Sequence, residues 1–369
     1  MKKTIIISGV NLSEGGPLTV ISSVLNFLDQ SDYVANYRII ALVHSKDLFQ
    51  NLKNIELMAF SEVKSSWFKR LKFEYRDCLE LSKELESHLW FSLHDITPNV
   101  ISVKRAVYCH NASPFHKQNL KVFFQTPLRY LYVKFYKQLY SINIKKNDFV
   151  VVQQKWIKEE FIKMFHLKKE KIIVALPDQA AEKYLDIEIL KQQDKVKKVF
   201  FYPAFPREFK NFETICKAVE LVKHEIEMDF EVILTIDGSE NDYSRAIVDK
   251  YGSIRQISFI GLQSKDKVEH YYAASDCLLF PSKLETWGLP ISEYKKYNKP
   301  MLVSDLPYAY ETVGNYEKVK YFDPKSESDL SQAMIEFLKE KLEYNNKGPV
   351  FYEQPYCTSW SELFKHLLK

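Results

Sequence analysis

The chain has 369 residues, of which 46% are hydrophobic and 27% charged, with a net charge of +4. This is globular composition, long enough for two domains, and it excludes a disordered or fibrous chain. The mild positive excess comes with no charge run or nucleic-acid motif, so no nucleic-acid partner is expected.

The opening MKKTIIISGVNLSEGG has two lysines and a short apolar run, interrupted by Glu14, Gly15 and Gly16 too soon for the core of a signal peptide. It reads as a first strand, TIIIS (4–8), followed by a glycine loop and the helical pattern PLTVISSVLNFL. Further buried strands follow at 37–43, 55–60, 89–93, 105–109 and 149–153, and KIIVALPD (171–178) closes the series. Apolar runs without period-two alternation, separated by helices, predict a parallel sheet covered on both faces. The stretch from Gln179 to Lys197 is polar and reads as a connection. The pattern then restarts with KVFFYP (198–203) and the helix NFETICKAVELVKH, followed by strands at 230–236, 257–261, 277–280, 301–304 and 319–322. Two successive α/β units are the simplest account. Five scattered cysteines, with no C-x-x-C spacing, support neither a zinc site nor a disulfide framework and fit reduced thiols of a cytosolic protein. Nothing approaches eighteen consecutive apolar residues, so no spanning helix is expected.

Ligands of such sheets bind beyond the carboxyl ends of the strands, near helix starts, and the unusual residues lie there. FPSKLETWGLPISE (280–293) sets Glu285 in a loop after a strand and Glu293 in the helix that follows. Pro290 suits a first helical turn, so the backbone amides around Gly288 and Leu289 fall between the two acids. Amides for phosphate and carboxylates for hydroxyls suit a sugar nucleotide; a plain helix start with acids near its N-terminus fits the spacing equally. In YPAFPREFKNFE, Arg207 and Lys210 stand between a strand and a helix, as a diphosphate clamp or as ordinary solvated cations. In the first unit, Gly15-Gly16-Pro17 lies where backbone can approach a ligand closely. His94, Asp95, His110 and Asn111 sit just past strands; a lone histidine is more often a structural hydrogen-bonder than a catalyst.

PSKLETWGLPISE, followed by NKPMLVSDLPYAYETVG and YFDP, resembles the signature of the retaining glycosyltransferases of family four, whose architecture, GT-B, is two Rossmann-like domains facing across a cleft. ISFIGLQSKDKVEHYYAASDCLLFPS, with Gly261, and the C-terminal CTSWSELFKHLL extend the likeness. The resemblance implies an acceptor-side domain at 1–178, with a helix at 355–369 packing back on it, and a nucleotide-sugar domain at 179–354. It gives Glu285 the donor sugar near the reacting carbon and His110 a place in the sugar pocket, as the catalytic pair. Glu293 would take the ribose hydroxyls, Arg207 and Lys210 the diphosphate, and Gly16, Gly261, Gly288 and Leu289 would complete the donor site. One departure is that AFPREFK lacks the family's loop-opening glycine and sets Arg207 only three residues before Lys210.

The resulting expectation is a metal-independent hexosyltransferase with no cofactor beyond its nucleoside-diphosphate sugar, UDP before GDP. The acceptor is a saccharide, lipid-linked, in surface polysaccharide assembly. The rivals are a sugar-nucleotide epimerase or a hydrolase of the same fold, and a non-catalytic sugar-binding protein. Two aromatic and basic stretches, 65–76 with Glu74 its only acid and Lys117 to Tyr140 with none, suit contact with an anionic membrane surface or the packing of a core. The expected location is cytoplasmic, peripheral on the inner face of the membrane.

Overall fold

The computed structural model describes residues 2–111, 113–115, 135–176 and 197–369. Backbone contacts divide the chain into two compact units, Met1–Gln179 with Tyr352–Lys369, and Ala180–Phe351.

The first unit is an eight-stranded sheet. Its strands are β1 (Lys3–Gly9), β2 (Tyr37–Val43), β3 (Glu56–Ala59), β4 (Ser87–Ser92), β5 (Lys104–Cys109), β6 (Phe149–Val152), β7 (Ile172–Ala175) and, after the second unit, β14 (Tyr356–Cys357). All pair in parallel, in the order β14-β7-β6-β5-β4-β1-β2-β3. Alternate residues of β1 serve opposite faces. Ile5 and Ile7 pack with the helix Gly15–Gln30 and with the C-terminal helix Trp360–Leu367, whose Leu363, Phe364 and Leu367 are fully buried there. Ile6 and Val10 pack instead with Phe73, Cys78 and Trp90. Burying each such side chain contributes about 1.5–3 kcal/mol, enough to hold the returning C-terminus in this core. Trp360 adds a hydrogen bond, its indole N–H donating to Ser23 Oγ at 2.8 Å.

The second unit is a six-stranded parallel sheet built from β8 (Lys198–Tyr202), β9 (Phe230–Leu234), β10 (Ile257–Phe259), β11 (Cys277–Phe280), β12 (Met301–Ser304) and β13 (Val319–Phe322), in the order β10-β9-β8-β11-β12-β13. Its helix Phe212–Glu225 turns Ile215, Cys216, Ala218, Val219 and Val222 inward at helical spacing. In both sheets the chain starts in the middle, winds to one edge, then returns to wind to the other. The direction reverses beside β1 and β4 in one unit and beside β8 and β11 in the other. At such a reversal the loops diverge and leave a crevice at the carboxyl ends of the strands. Gly16, Arg207, Lys210, Glu285 and Gly288 follow the strands at these two places, whereas His110 follows β5 and Gly261 follows the edge strand β10.

Candidate functional site

In the second unit the loops after β8 and β11 are tied together by buried polar side chains. Asn211 adopts a left-handed backbone conformation with φ of 64° and closes the short turn Glu208–Lys210. Its buried amide does not cap the following helix. It donates to the carbonyls of Pro281, at 3.0 Å, and Pro324, at 2.8 Å, so one side chain fastens three strand-end loops. Tyr202, the last residue of β8, donates to the Lys210 carbonyl at 2.9 Å and shares a hydrogen bond of 3.0 Å with Ser282 Oγ. Lys283 N–H closes the lattice on the Phe209 carbonyl at 2.7 Å.

These fastenings bring Lys210 and Glu285 together: Lys210 Nζ lies 2.5 Å from Glu285 Oε1. Side-chain exposures of 18% and 12% leave the pair neither sealed in the core nor fully solvated. A charge-assisted contact in such a place is stronger than a surface ion pair. Beyond Glu285, Gly288 takes φ of 93°, a conformation that disfavours any side chain, and the helix Leu289–Lys295 starts directly after it with Pro290 in its first turn. Trp287 is buried and donates its indole N–H to Ser292 Oγ at 2.8 Å, while its carbonyl accepts from the Thr312 hydroxyl. Glu293 follows on the helix, half-buried, accepting from the Tyr272 hydroxyl at 2.8 Å.

The remaining donor-side candidates divide. Leu289 is exposed at the helix start. Arg207 is exposed and does not join the Lys210–Glu285 pair; its guanidinium lies 5.8 Å from the Phe205 ring centroid. Gly261 has a structural reason of its own: a Cβ there would lie 2.6 Å from Asp237 Oδ2.

In the first unit, Gly16 is exposed in the first turn of the helix after β1. His110 follows β5 and is organised by Asp95, which has φ of 71° and is buried. Asp95 Oδ1 accepts from His110 N–H at 2.7 Å, Asn111 N–H at 3.1 Å and the Tyr140 hydroxyl at 2.7 Å. His110 Nε2 is 3.7 Å from Asp95 Oδ2. Burial holds the imidazole below its ordinary value, outweighing the upward pull of Asp95; His94 and Arg70 push the same way as burial. Behind this loop is a sealed ionic cluster: His94 Nε2 sits 2.8 Å from Glu74 Oε1, off the line of a hydrogen bond, and Arg70 Nε is 3.8 Å from the same oxygen. Arg70 also donates to the His94 carbonyl at 3.0 Å.

That cluster revises the reading of 65–76 as one aromatic and basic stripe. Arg70, Phe73 and Glu74 are core, and only Trp67 and Phe68 present large apolar surface. The lysines around them are paired, Lys64 with Glu14, Lys69 with Glu62 and Lys72 with Asp77. Of the second stretch, 117–134 lies outside the described residues; within the rest, Tyr136 and Tyr140 are core while Phe135 and Lys137 are exposed. Among the described residues no helix is long and apolar enough to cross a membrane.

Sequence reasoning missed Tyr272 and Asn211. An asparagine before a helix reads as a cap, and a tyrosine within an aromatic-rich helix reads as core; neither carries a signal for a partner 21 to 113 residues away.

Residues 183–348 match the family described as glycosyl transferases group 1. A curated relative, O-antigen chain mannosyltransferase B of Escherichia coli, is 26% identical over 132 residues, 36% of this chain and 34% of that protein, so the match spans about a third of the relative's length. Among solved structures, the apo form of the lipopolysaccharide outer core galactosyltransferase WaaB superposes with a TM-score of 0.62 at 16% identity, over 93% of this chain and 92% of that one. HepE of Anabaena, in complex with UDP-glucose, superposes with a TM-score of 0.61 at 16% identity, covering 91% and 90%. The family match lies within the second unit and spans less than half of the chain, and the two parallel α/β sheets have the GT-B fold of these neighbours.

Proposed function

We propose that this protein is a retaining glycosyltransferase that moves a hexose or N-acetylhexosamine from a nucleoside-diphosphate sugar to a saccharide acceptor, lipid-linked, in surface polysaccharide assembly. The observation that carries it is the Lys210–Glu285 pair at the strand-order reversal of the second sheet, with Glu293 on the next helix. A cation and two carboxylates at that position match a ligand with a phosphate end and a hydroxyl end. UDP is favoured over GDP as the base because a neighbour of the same fold holds UDP-glucose. The acceptor class follows the names of the relatives, which act on O-antigen chains and the lipopolysaccharide outer core.

In this reading Lys210 leaves Glu285 for the diphosphate as donor binds, with Arg207 as a second cation from the same loop. As the sugar–phosphate bond lengthens, negative charge grows on the departing diphosphate and the cations stabilise it without a metal. Glu285, released from Lys210, accepts hydrogen bonds from the sugar near the reacting carbon, and Glu293 accepts from the ribose. His110 is assigned to the sugar by resemblance, as a neutral imidazole.

Binding of nucleoside diphosphates tests the reading directly. Thermal-shift screening against UDP, GDP, CDP and ADP sugars selects the donor, and isothermal titration with the free diphosphate follows. A charge-assisted phosphate contact is worth about 1.5–3 kcal/mol, so Lys210→Ala should weaken that diphosphate roughly tenfold or more, with EDTA making no difference. An unchanged dissociation constant removes Lys210 from the site.

The membrane part rests on Phe68, 79% exposed, beside Trp67 and Phe135, whose rings meet edge to face at 5.4 Å. Since Lys64, Lys69 and Lys72 are already ion-paired, this patch contributes through apolar insertion more than through their charge. Phe68→Ala should reduce sedimentation with vesicles containing anionic lipid. Equal sedimentation of variant and wild type, or none by either, overturns that part alone.

A further inference from the structure

Glu293 is held from behind. Tyr272, in the helix Lys265–Ala274, is 1% exposed and caged by the rings of Phe201, Tyr294 and Tyr297 at centroid distances of 5.6, 5.6 and 5.9 Å. The cage fixes the ring, and the hydroxyl emerges against Glu293 Oε2 at 2.8 Å. Burial, and then the Glu293 charge, push the phenol well above its ordinary value, so it stays a donor at every working pH. Among the described residues the Glu293 carboxylate accepts no other hydrogen bond, and the side chain is half-buried. One oxygen is therefore anchored from inside the protein, and the other is left to accept from outside it.

A glutamate on a helix surface samples several rotamers, and ordering it on binding costs free energy. Here the ordering is done in advance by a residue that no ligand can reach. We propose that Tyr272 is a positioning residue that presets the Glu293 carboxylate for the ribose hydroxyls, and so sets the preference for ribonucleotide over deoxyribonucleotide donors. This rests on the ribose role proposed for Glu293. A site built to hydrogen-bond a hydroxyl discriminates strongly against an analogue lacking it, because its own polar group is then left unpaired.

The experiment compares the nucleoside diphosphate that the wild type binds, UDP or GDP, with its 2′,3′-dideoxy counterpart by titration calorimetry. Wild type should prefer the ribonucleotide by roughly tenfold or more. Glu293→Gln should reduce the preference to about twofold. Tyr272→Phe keeps the ring and its cage, so it should reduce the preference to about threefold by weakening the ribonucleotide, leaving dideoxy affinity unchanged. A Tyr272→Phe variant that keeps the full preference, or loses affinity for both ligands in parallel, overturns the positioning role while leaving the ribose assignment standing. Full preference in Glu293→Gln, or no preference in wild type, removes the ribose assignment itself.

Discussion

The carboxyl ends of the two sheets share a topology and use their carboxylates in opposite ways. In the first unit Asp95 spends one oxygen on three donors, and Glu74 is sealed at 0% exposure against His94 and Arg70. In the second, Glu285 and Glu293 each have, among the described residues, a single side-chain hydrogen-bond partner and a partly exposed surface. A carboxylate whose bonds all end inside the protein holds backbone in place. One with acceptor capacity left over is available to a ligand. Asp95 therefore builds the loop that carries His110, Glu74 balances the buried charge of Arg70, and in the proposed reading the second unit's acids are the ones that meet the donor.

Exchanging the loss of one acid for the other tests this contrast with the largest effects. Glu74→Ala leaves the buried Arg70 without its counter-charge, a change that costs about 3–5 kcal/mol. The variant is expected to lose that much in urea unfolding. Glu285→Gln should leave the unfolding midpoint unchanged while transfer falls by roughly 10² to 10³, the range for removing one group that stabilises a reacting centre. The contrast breaks if Glu285→Gln destabilises as strongly as Glu74→Ala, or if it transfers at a near-normal rate. A loss under about 1 kcal/mol in Glu74→Ala would place that carboxylate outside any buried ionic role.

Much of the fold was legible because the strands are continuous runs such as TIIIS, FVVV and CLLF, which a doubly covered parallel sheet requires. β14 was not legible: two residues, Tyr356 and Cys357, make no periodicity, and only pairing with Val174 and Ala175 makes them a strand. At the site, Glu285 and Lys210 were legible as types at strand ends, but their contact was not, since it depends on Asn211 and Tyr202 fastening loops 70 or more residues apart. Glu74 misled in the other direction. It sits in KFEYR as the only acid of an aromatic and basic stretch that suits a membrane surface or a core equally, in the segment Phe73–Asp77 of π-helical geometry, and nothing in that pattern marks it as a sealed ionic partner. Such π-helical turns are rare and appear mostly as single-turn bulges inside α-helices.

The smallest effect sharpens the account of His110. Opposed influences meet there: burial, with His94 and Arg70 behind it, disfavours the imidazolium, and Asp95 at 3.7 Å favours it; burial is the largest. The folded histidine therefore titrates below its ordinary value of 6.5, which the unfolded chain keeps. As pH falls through 6.5 the unfolded chain takes up the proton first, and linkage then lowers stability with falling pH until the folded imidazole also protonates. The contribution is below about 1.4 kcal/mol for each unit of depression. Urea unfolding of wild type and His110→Gln between pH 8 and 5 measures it as a difference in slope. Wild type should lose stability on acidification faster than the variant, and the two should converge at pH 8 up to a constant offset. Parallel curves would mean that His110 is solvated like a surface histidine. A wild type that gains on acidification relative to the variant would mean that Asp95 wins, and that the imidazole is held as a cation.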